Sequence, residues 1–234
     1  MKIVTNFSPN FSKKRTKRVI KFVIIHYTGM QSEIESINRL KNPVSKVSCH
    51  YLINRKGKII RMVEDKNIAW HAGKSKWKNF KNLNSKSIGI ELVNRGHRFG
   101  YESFSNNQIK SLIQLCKNLK KKHKIKSENF LGHSDIAPLR KIDPREKFPW
   151  KKLSKHKIGN WYQEIKINRG MYFNKMEFNF FKNLRKLGFR YFSARKRNSS
   201  DKKIIKSFQS HYCPENVNGK VDQKTFRISY FLTH

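Results

Sequence analysis

An α/β fold is predicted over roughly residues 15 to 155, followed by a small all-helical unit, and three observations carry that expectation. Runs of β-branched and aromatic residues of strand length alternate with amphipathic stretches of helical length. The apolar runs stop at glycine or at polar turn residues. After the basic stretch "KKLSKHKIGN" the period-two pattern disappears and only helical spacing remains. At 234 residues the chain can bury a sizeable core, in one large domain or in a medium one with a small companion. The division expected is a larger unit over 1–155, a linker over 156–170 and a three-helix unit over 171–234.

The elements follow in order. "RVIKFVIIHYT", residues 18–28, reads as a buried strand that stops at Gly29 and carries His26 at its C-terminal end. "SEIESINRLKN" places Ile34, Ile37 and Leu40 on one helical stripe, ended by Pro43. "VSCHYLINRKGKIIRMV" alternates Val47, Cys49, Tyr51 and Ile53 with polar neighbours, turns at "RKGK" and returns, which is a hairpin. Beyond the loop "AWHAGKSKWKNFKNLN", the strand "SIGIELV" has Ile88, Ile90 and Leu92 on one face and Gly89 and Glu91 on the other. Ser105 and Gln108 form a capping box that opens a helix carrying Ile109, Leu112, Ile113, Cys116 and Leu119. "NFLGHS" is a last strand, delivering His133 at its end.

In the second unit, Phe173, Met176, Phe180, Leu184 and Leu187 recur at helical spacing and stop at Gly188. Ile204, Ile205, Phe208 and Tyr212 mark a second helix, and a third starts at Asp222 after the turn "NVNGKVD". Core packing accounts for this aromatic stripe without a cofactor.

Composition removes several classes of function. No window approaches the roughly 18 consecutive apolar residues of a membrane span. The N-terminal apolar run is short and ends in His26 and Tyr27 without a small-residue cleavage site, so no export signal is read there and a cytoplasmic location is favoured on that ground. Cys49, Cys116 and Cys213 are odd in number and widely spaced, which argues against a disulfide framework or a cysteine-based metal site. The 53 Lys and Arg against 15 Asp and Glu give a net charge of +38, a field that attracts polyanions. The charge is spread along the whole chain, so specific nucleic-acid binding is not expected.

Chemistry is sought at strand ends. His26 ends one strand, His133 another, and Asp143 lies in the loop that follows, so three ligands could converge at one edge of a sheet. Two histidines and a carboxylate, with a fourth position open, are the ligand set of a catalytic zinc site. Glu91, inside an apolar run, is either paired with a cation or held close to chemistry, where it would serve as general base. Lys141 is either one more solvated lysine or a group that turns to a developing oxyanion. His50 reads as a core histidine rather than a further ligand.

Five segments, "FVIIHYTG", "VSCHYLINRKGKI", "IAWHAGKSKW", "NLNSKSIGIELVN" and "GHSDIAPLRKIDP", together resemble the zinc-dependent N-acetylmuramoyl-L-alanine amidases, the family that includes phage lysozyme-type amidases and peptidoglycan recognition proteins. The resemblance implies a mixed central sheet flanked by helices, one zinc per chain held by His26, His133 and Asp143, Glu91 as catalytic acid or base, and Lys141 at the oxyanion. It implies cleavage of the amide between the lactyl group of N-acetylmuramic acid and L-alanine, in peptidoglycan or in muropeptide fragments. Trp70, His71 and Trp77 fall where such enzymes line the cleft, and Asn38, Arg39 and Arg95 are candidates to meet stem-peptide carboxylates. A non-catalytic recognition protein on the same fold is the alternative, with a nucleic-acid binder behind it. The second unit resembles a three-helix peptidoglycan-binding domain through "FFKNLRKLGF" and "IIKSFQSHYCPENVNGKVDQKTF", but "RYFSARKRNSS" lacks that module's glycine- and acid-rich loop. A wall-binding module points to the cell envelope, against the cytoplasm.

Overall fold

A computed structural model describes residues 2–13, 16–163, 175–193 and 196–234. In chain order, short strands β1 (Ile3–Thr5) and β2 (Phe11–Ser12) precede β3 (Phe22–Tyr27), helix α1 (Glu33–Lys41) and the pair β4 (Tyr51–Ile53) and β5 (Ile59–Arg61). Four strands follow: β6 (Ile68–Ala69), β7 (Lys76–Trp77) and β8 (Phe80–Lys81) as a hairpin, and β9 (Ser87–Leu92). Then come α2 (Gly96–Phe99), the long α3 (Asn106–His123), β10 (Phe130–Gly132), α4 (His133–Ile136) and α5 (Trp150–Ser154). The chain ends in α6 (Met176–Leu187), α7 (Asp201–Tyr212) and α8 (Gln223–Phe231). Phe173 and residues 164–170 of the expected linker lie outside the described residues.

One six-stranded sheet organises the molecule, in the order β1-β5-β4-β9-β3-β10. It is mixed and mostly parallel: β4 and β5 form the expected antiparallel hairpin, while β4, β9, β3 and β10 run parallel. Strands buried on both faces explain why "FVII" and "SIGIEL" read as nearly continuous apolar runs. Val23, Ile25, Ile88, Ile90 and Leu92 face α3, which contributes Ile109, Leu112 and Cys116. Phe22, Ile24 and Leu131 face the other way and share a continuous apolar core with Phe180, Phe181, Leu184 and Phe208 of the C-terminal helices. The three cysteines are free and buried. Among the described residues, no helix is long and apolar enough to cross a membrane.

Two local expectations come out differently. Ser105 accepts from Gln108 N at 3.2 Å, but the Gln108 amide does not close the capping box. It donates instead to Ile53 O and Val93 O at 2.9 and 3.1 Å, carbonyls that the sheet brings within its reach at the ends of β4 and β9. The stripe on α1 is also incomplete: Leu40 is buried, while Ile34 is 71% exposed, since the helix lies over the sheet only at its C-terminal half. The third C-terminal helix does start at Asp222, whose Oδ1 accepts from Thr225 N at 2.7 Å.

Candidate active site

Parallel pairing brings the site together. β3 and β9 are in register with His26 opposite Glu91, and β10 pairs with β3 so that Gly132 lies beside Ile25 and His133 follows at the same level as His26. Sites of open parallel sheets lie at these C-terminal strand ends. Asp143 returns to the same point because Ser134 N donates to Asp143 O at 2.8 Å, clamping the far end of the loop onto α4.

The three donor atoms form a triangle. His26 Nδ1 lies 2.9 Å from His133 Nδ1 and 3.0 Å from Asp143 Oδ2, and His133 Nδ1 lies 3.1 Å from the same oxygen. All three residues are buried. Their protonation follows from what surrounds them. Ser87 Oγ donates to Leu83 O at 2.7 Å, so at 3.2 Å it accepts from His71 Nε2, which leaves His71 Nδ1 bare. His71 Nδ1, 3.1 Å from His26 Nε2, therefore accepts, and His26 Nδ1 points its lone pair at the triangle. His133 Nε2 lies 3.3 Å from Ala72 O and 3.4 Å from Arg140 Nη2; with Arg140 Nη2 bonded to the Ala72 carbonyl, Nε2 donates to that same carbonyl and His133 Nδ1 is bare as well.

Two imidazole lone pairs and a carboxylate oxygen thus converge with no hydrogen to share, an arrangement that repels itself and that a cation resolves. Edges near 3 Å approach the ~3.3 Å edge of a tetrahedron with zinc–ligand bonds of about 2.0–2.1 Å. The group fits a metal, and it is the set of His, Cys, Asp and Glu side chains among the described residues with that spacing.

Electrostatics agree. Burial, with His133 beside it, pulls the His26 imidazole down to about 4 and keeps it neutral at pH 7. Burial likewise puts His71 well below its ordinary value. Burial, reinforced by the charge of Asp143 and opposed by Lys141, pushes Glu91 up to about 8. Among the described residues Glu91 Oε2 has no hydrogen-bond partner and Glu91 enters no ion pair. A carboxyl so placed can take up and release a proton near neutrality.

A cleft of about 140 Å³ opens over the triangle, lined among others by Glu91, Lys141, Trp70, His71 and Arg39. Trp70 is half-buried there, with its Nε1 donating to Ser12 Oγ at 2.9 Å. His71 sits at the inner end, and its approach explains Gly89: a Cβ on Gly89 would fall 2.3 Å from the His71 ring. Asn38 and Arg95 are exposed and do not border the cleft. Trp77 does not reach it either. Its indole is 3% exposed and packs edge-on against Phe189 at 5.0 Å, because the β7–β8 hairpin turns it into the core shared with the C-terminal helices. His50 accepts from Gly89 N at 3.0 Å and belongs to the sheet. The residues that sequence reasoning did not assign are Ser87, as anchor of the His71 ring, and Ala72, whose carbonyl orients His133. An isolated glycine in the strand "SIGIEL" is the signal that something approaches closely there.

Residues 16–146 match the N-acetylmuramoyl-L-alanine amidase family, more than half of the chain. The chain belongs to that family. Within the amidases it is 34% identical over 230 residues to Escherichia coli N-acetylmuramoyl-L-alanine amidase AmiD, covering 91% of this chain and 82% of that protein. It is 32% identical over 163 residues to the 1,6-anhydro-N-acetylmuramyl-L-alanine amidase AmpD of Haemophilus influenzae, covering 62% of this chain and 86% of that one. Among solved amidase structures, Escherichia coli AmiD in complex with the substrate anhydro-N-acetylmuramic acid-L-Ala-D-gamma-Glu-L-Lys superimposes with a TM-score of 0.78 at 29% identity, over 96% of this chain and 97% of that one. AmpDh3 from Pseudomonas aeruginosa gives 0.80 at 30% identity, over 97% and 96%.

Proposed function

We propose that this chain hydrolyses the amide between the lactyl group of N-acetylmuramic acid and L-alanine in peptidoglycan fragments, 1,6-anhydro forms included, with one zinc ion held by His26, His133 and Asp143. The observation that carries the reading is the convergence of two imidazole nitrogens and a carboxylate oxygen beside Glu91, whose Oε2 has no partner among the described residues. The substrate class is supported by the ligand seen with Escherichia coli AmiD.

A zinc ion supplies the Lewis acidity that attack of water on an amide requires. The chain's own residues do the rest. The Ser87–His71 relay keeps the His26 ring turned to the site, and the Ala72 carbonyl does the same for His133. Glu91 takes the proton of the attacking water and delivers it to the departing alanine nitrogen. The ammonium of Lys141, on the cleft wall, faces the negative charge that develops on the carbonyl oxygen. Trp70 offers an aromatic face to a sugar ring, and Arg39 at the rim suits a stem-peptide carboxylate. The helices α6 to α8 are read as a unit of peptidoglycan-binding type, which raises the local concentration of an insoluble polymer at the cleft.

Mass spectrometry of products from intact sacculi and from soluble anhydro-muropeptides tests this reading, alongside metal analysis of the purified chain. Release of free stem peptide with about one zinc per chain is expected. Full hydrolysis by chelated, metal-free protein overturns the mechanism.

A further inference from the structure

The C-terminal helices touch the metal-binding turn through one buried pair. His211 Nδ1, in the last turn of α7, lies 2.8 Å from Asp135 Oδ2, and the two residues are 3% and 1% exposed. The same Asp135 oxygen accepts from Gly132 N at 2.7 Å. Gly132 is the last residue of β10, and His133 is the next residue along. Asp135 therefore folds back onto the residue before a metal ligand, while Ser134 N, bonded to Asp143 O, fixes the residue after it.

His211 is itself held in place. Its ring is stacked between Trp150 at 3.9 Å and Tyr212 at 4.0 Å, each within 12° of parallel. Two flat contacts leave the imidazole free to move only in its own plane, and the Asp135 bond removes that freedom. Among the described residues its Nε2 has no hydrogen-bond partner, and the ring's polar contact there is with Asp135. Loop stabilisation alone would be met by the bond from Gly132 N. The additional donor comes from a residue 76 positions away, in a different part of the sequence, and it reaches a carboxylate two residues from a metal ligand.

We infer that His211 is a positioning residue for His133, acting through Asp135, so that the C-terminal unit forms part of the scaffold of the metal site. The inference rests on the zinc amidase reading. It makes zinc affinity, and not only stability, depend on the donor at position 211. Removing partners that orient metal ligands typically weakens metal binding about 10- to 100-fold.

The full-length chain and its variants would be titrated with zinc against a chromophoric chelator, and their kcat and KM measured on a soluble anhydro-muropeptide at saturating zinc. The decisive pair is His211→Asn against His211→Gln. Both carry an amide and both lose the stacked ring, but Asn places its NH2 near the position of Nδ1, whereas Gln does not. His211→Gln is expected to bind zinc about tenfold more weakly, with kcat reduced and KM unchanged, and His211→Asn to stay within about threefold of the wild type. Phe226→Leu, in the C-terminal core away from Asp135, reports what destabilisation alone does. Zinc binding by His211→Gln equal to that of the wild type, or loss of affinity equal in Phe226→Leu, overturns the inference while leaving the amidase reading intact. A wild-type chain that takes up no zinc overturns that reading itself, and the inference with it.

Discussion

Two buried polar clusters meet β9 at opposite ends, Arg18 at Ser87 and His26 at Glu91, and they are built on opposite rules. Around Arg18, donors meet acceptors: the guanidinium donates to the carbonyls of Asp65, Asn67 and Asn84 at 2.9, 2.6 and 2.6 Å. The Asp65 carboxylate accepts from Tyr51 Oη, Lys122 Nζ and His123 Nε2 at 2.6, 2.7 and 3.2 Å. Around His26, three acceptors face one another and nothing donates between them. Burial is similar, so burial does not separate structure from chemistry here. Satisfaction does: a cluster that closes on itself holds the fold, and one that leaves its lone pairs unanswered holds something else.

The sharpest way to break that contrast is Asp143→Ala. It should abolish stoichiometric zinc uptake and bring muropeptide hydrolysis to background, while the metal-free chain melts at or above the wild-type temperature because a self-repelling group has been relieved. Calorimetry of metal-free protein and metal analysis after dialysis check both halves. A marked loss of metal-free stability would place this cluster with the structural one.

Glu91→Gln comes next. Its kcat should fall about 10²- to 10⁴-fold with zinc content near one per chain, the range for loss of a positioned acid or base. Steady-state kinetics with metal analysis on the same sample decide it, and wild-type turnover would move the general base elsewhere.

In the satisfied cluster the expectation reverses. Asp65→Ala should cost about 2 kcal/mol of stability, read from urea unfolding, with kcat below the melting temperature within about twofold of the wild type. Burial alone would raise the Asp65 carboxyl, but Lys122, Tyr51 and His123 hold it down to about 2. A depressed carboxyl contributes stability that is present above the ordinary carboxylate range and disappears as pH falls towards 2. The difference between wild type and variant should therefore shrink on acidification.

A further break concerns Glu91 in the metal-free chain. Its folded carboxyl is raised to about 8, so between the ordinary carboxylate range and pH 8 the folded state binds a proton that the unfolded state has released. Metal-free wild type should lose stability relative to Glu91→Gln as pH rises through that window, by up to about 1.4 kcal/mol per pH unit. Unfolding curves of both chains at matched pH isolate the contribution of this one group, and parallel pH profiles would show that Glu91 is not raised.

Much of this architecture is legible in the chain because it is written in local periodicity. The strand "FVIIHY" ends in His26 and "FLG" leads into His133, and a buried parallel strand can place such residues only at its end. Glu91 stands out because a carboxylate inside "SIGIEL" conflicts with its apolar neighbours. Other residues declare nothing locally. Trp77 reads as a cleft aromatic, and only the packing of Phe189 against it reveals a core residue. Gln108 reads as half of a capping box, and the carbonyls of Ile53 and Val93 that capture it are brought near by the sheet.

By itself, the sequence determined the strands, the helices and which side chains stand at strand ends, because each of these depends on neighbours within a few residues. The tertiary structure decided what those side chains do. The tautomer of His26 depends on Ser87 through His71, and the turn that presents His133 is braced by His211 from α7. Hydrogen-bond direction is fixed by whichever partner the fold delivers, and no local pattern specifies a partner dozens of residues away.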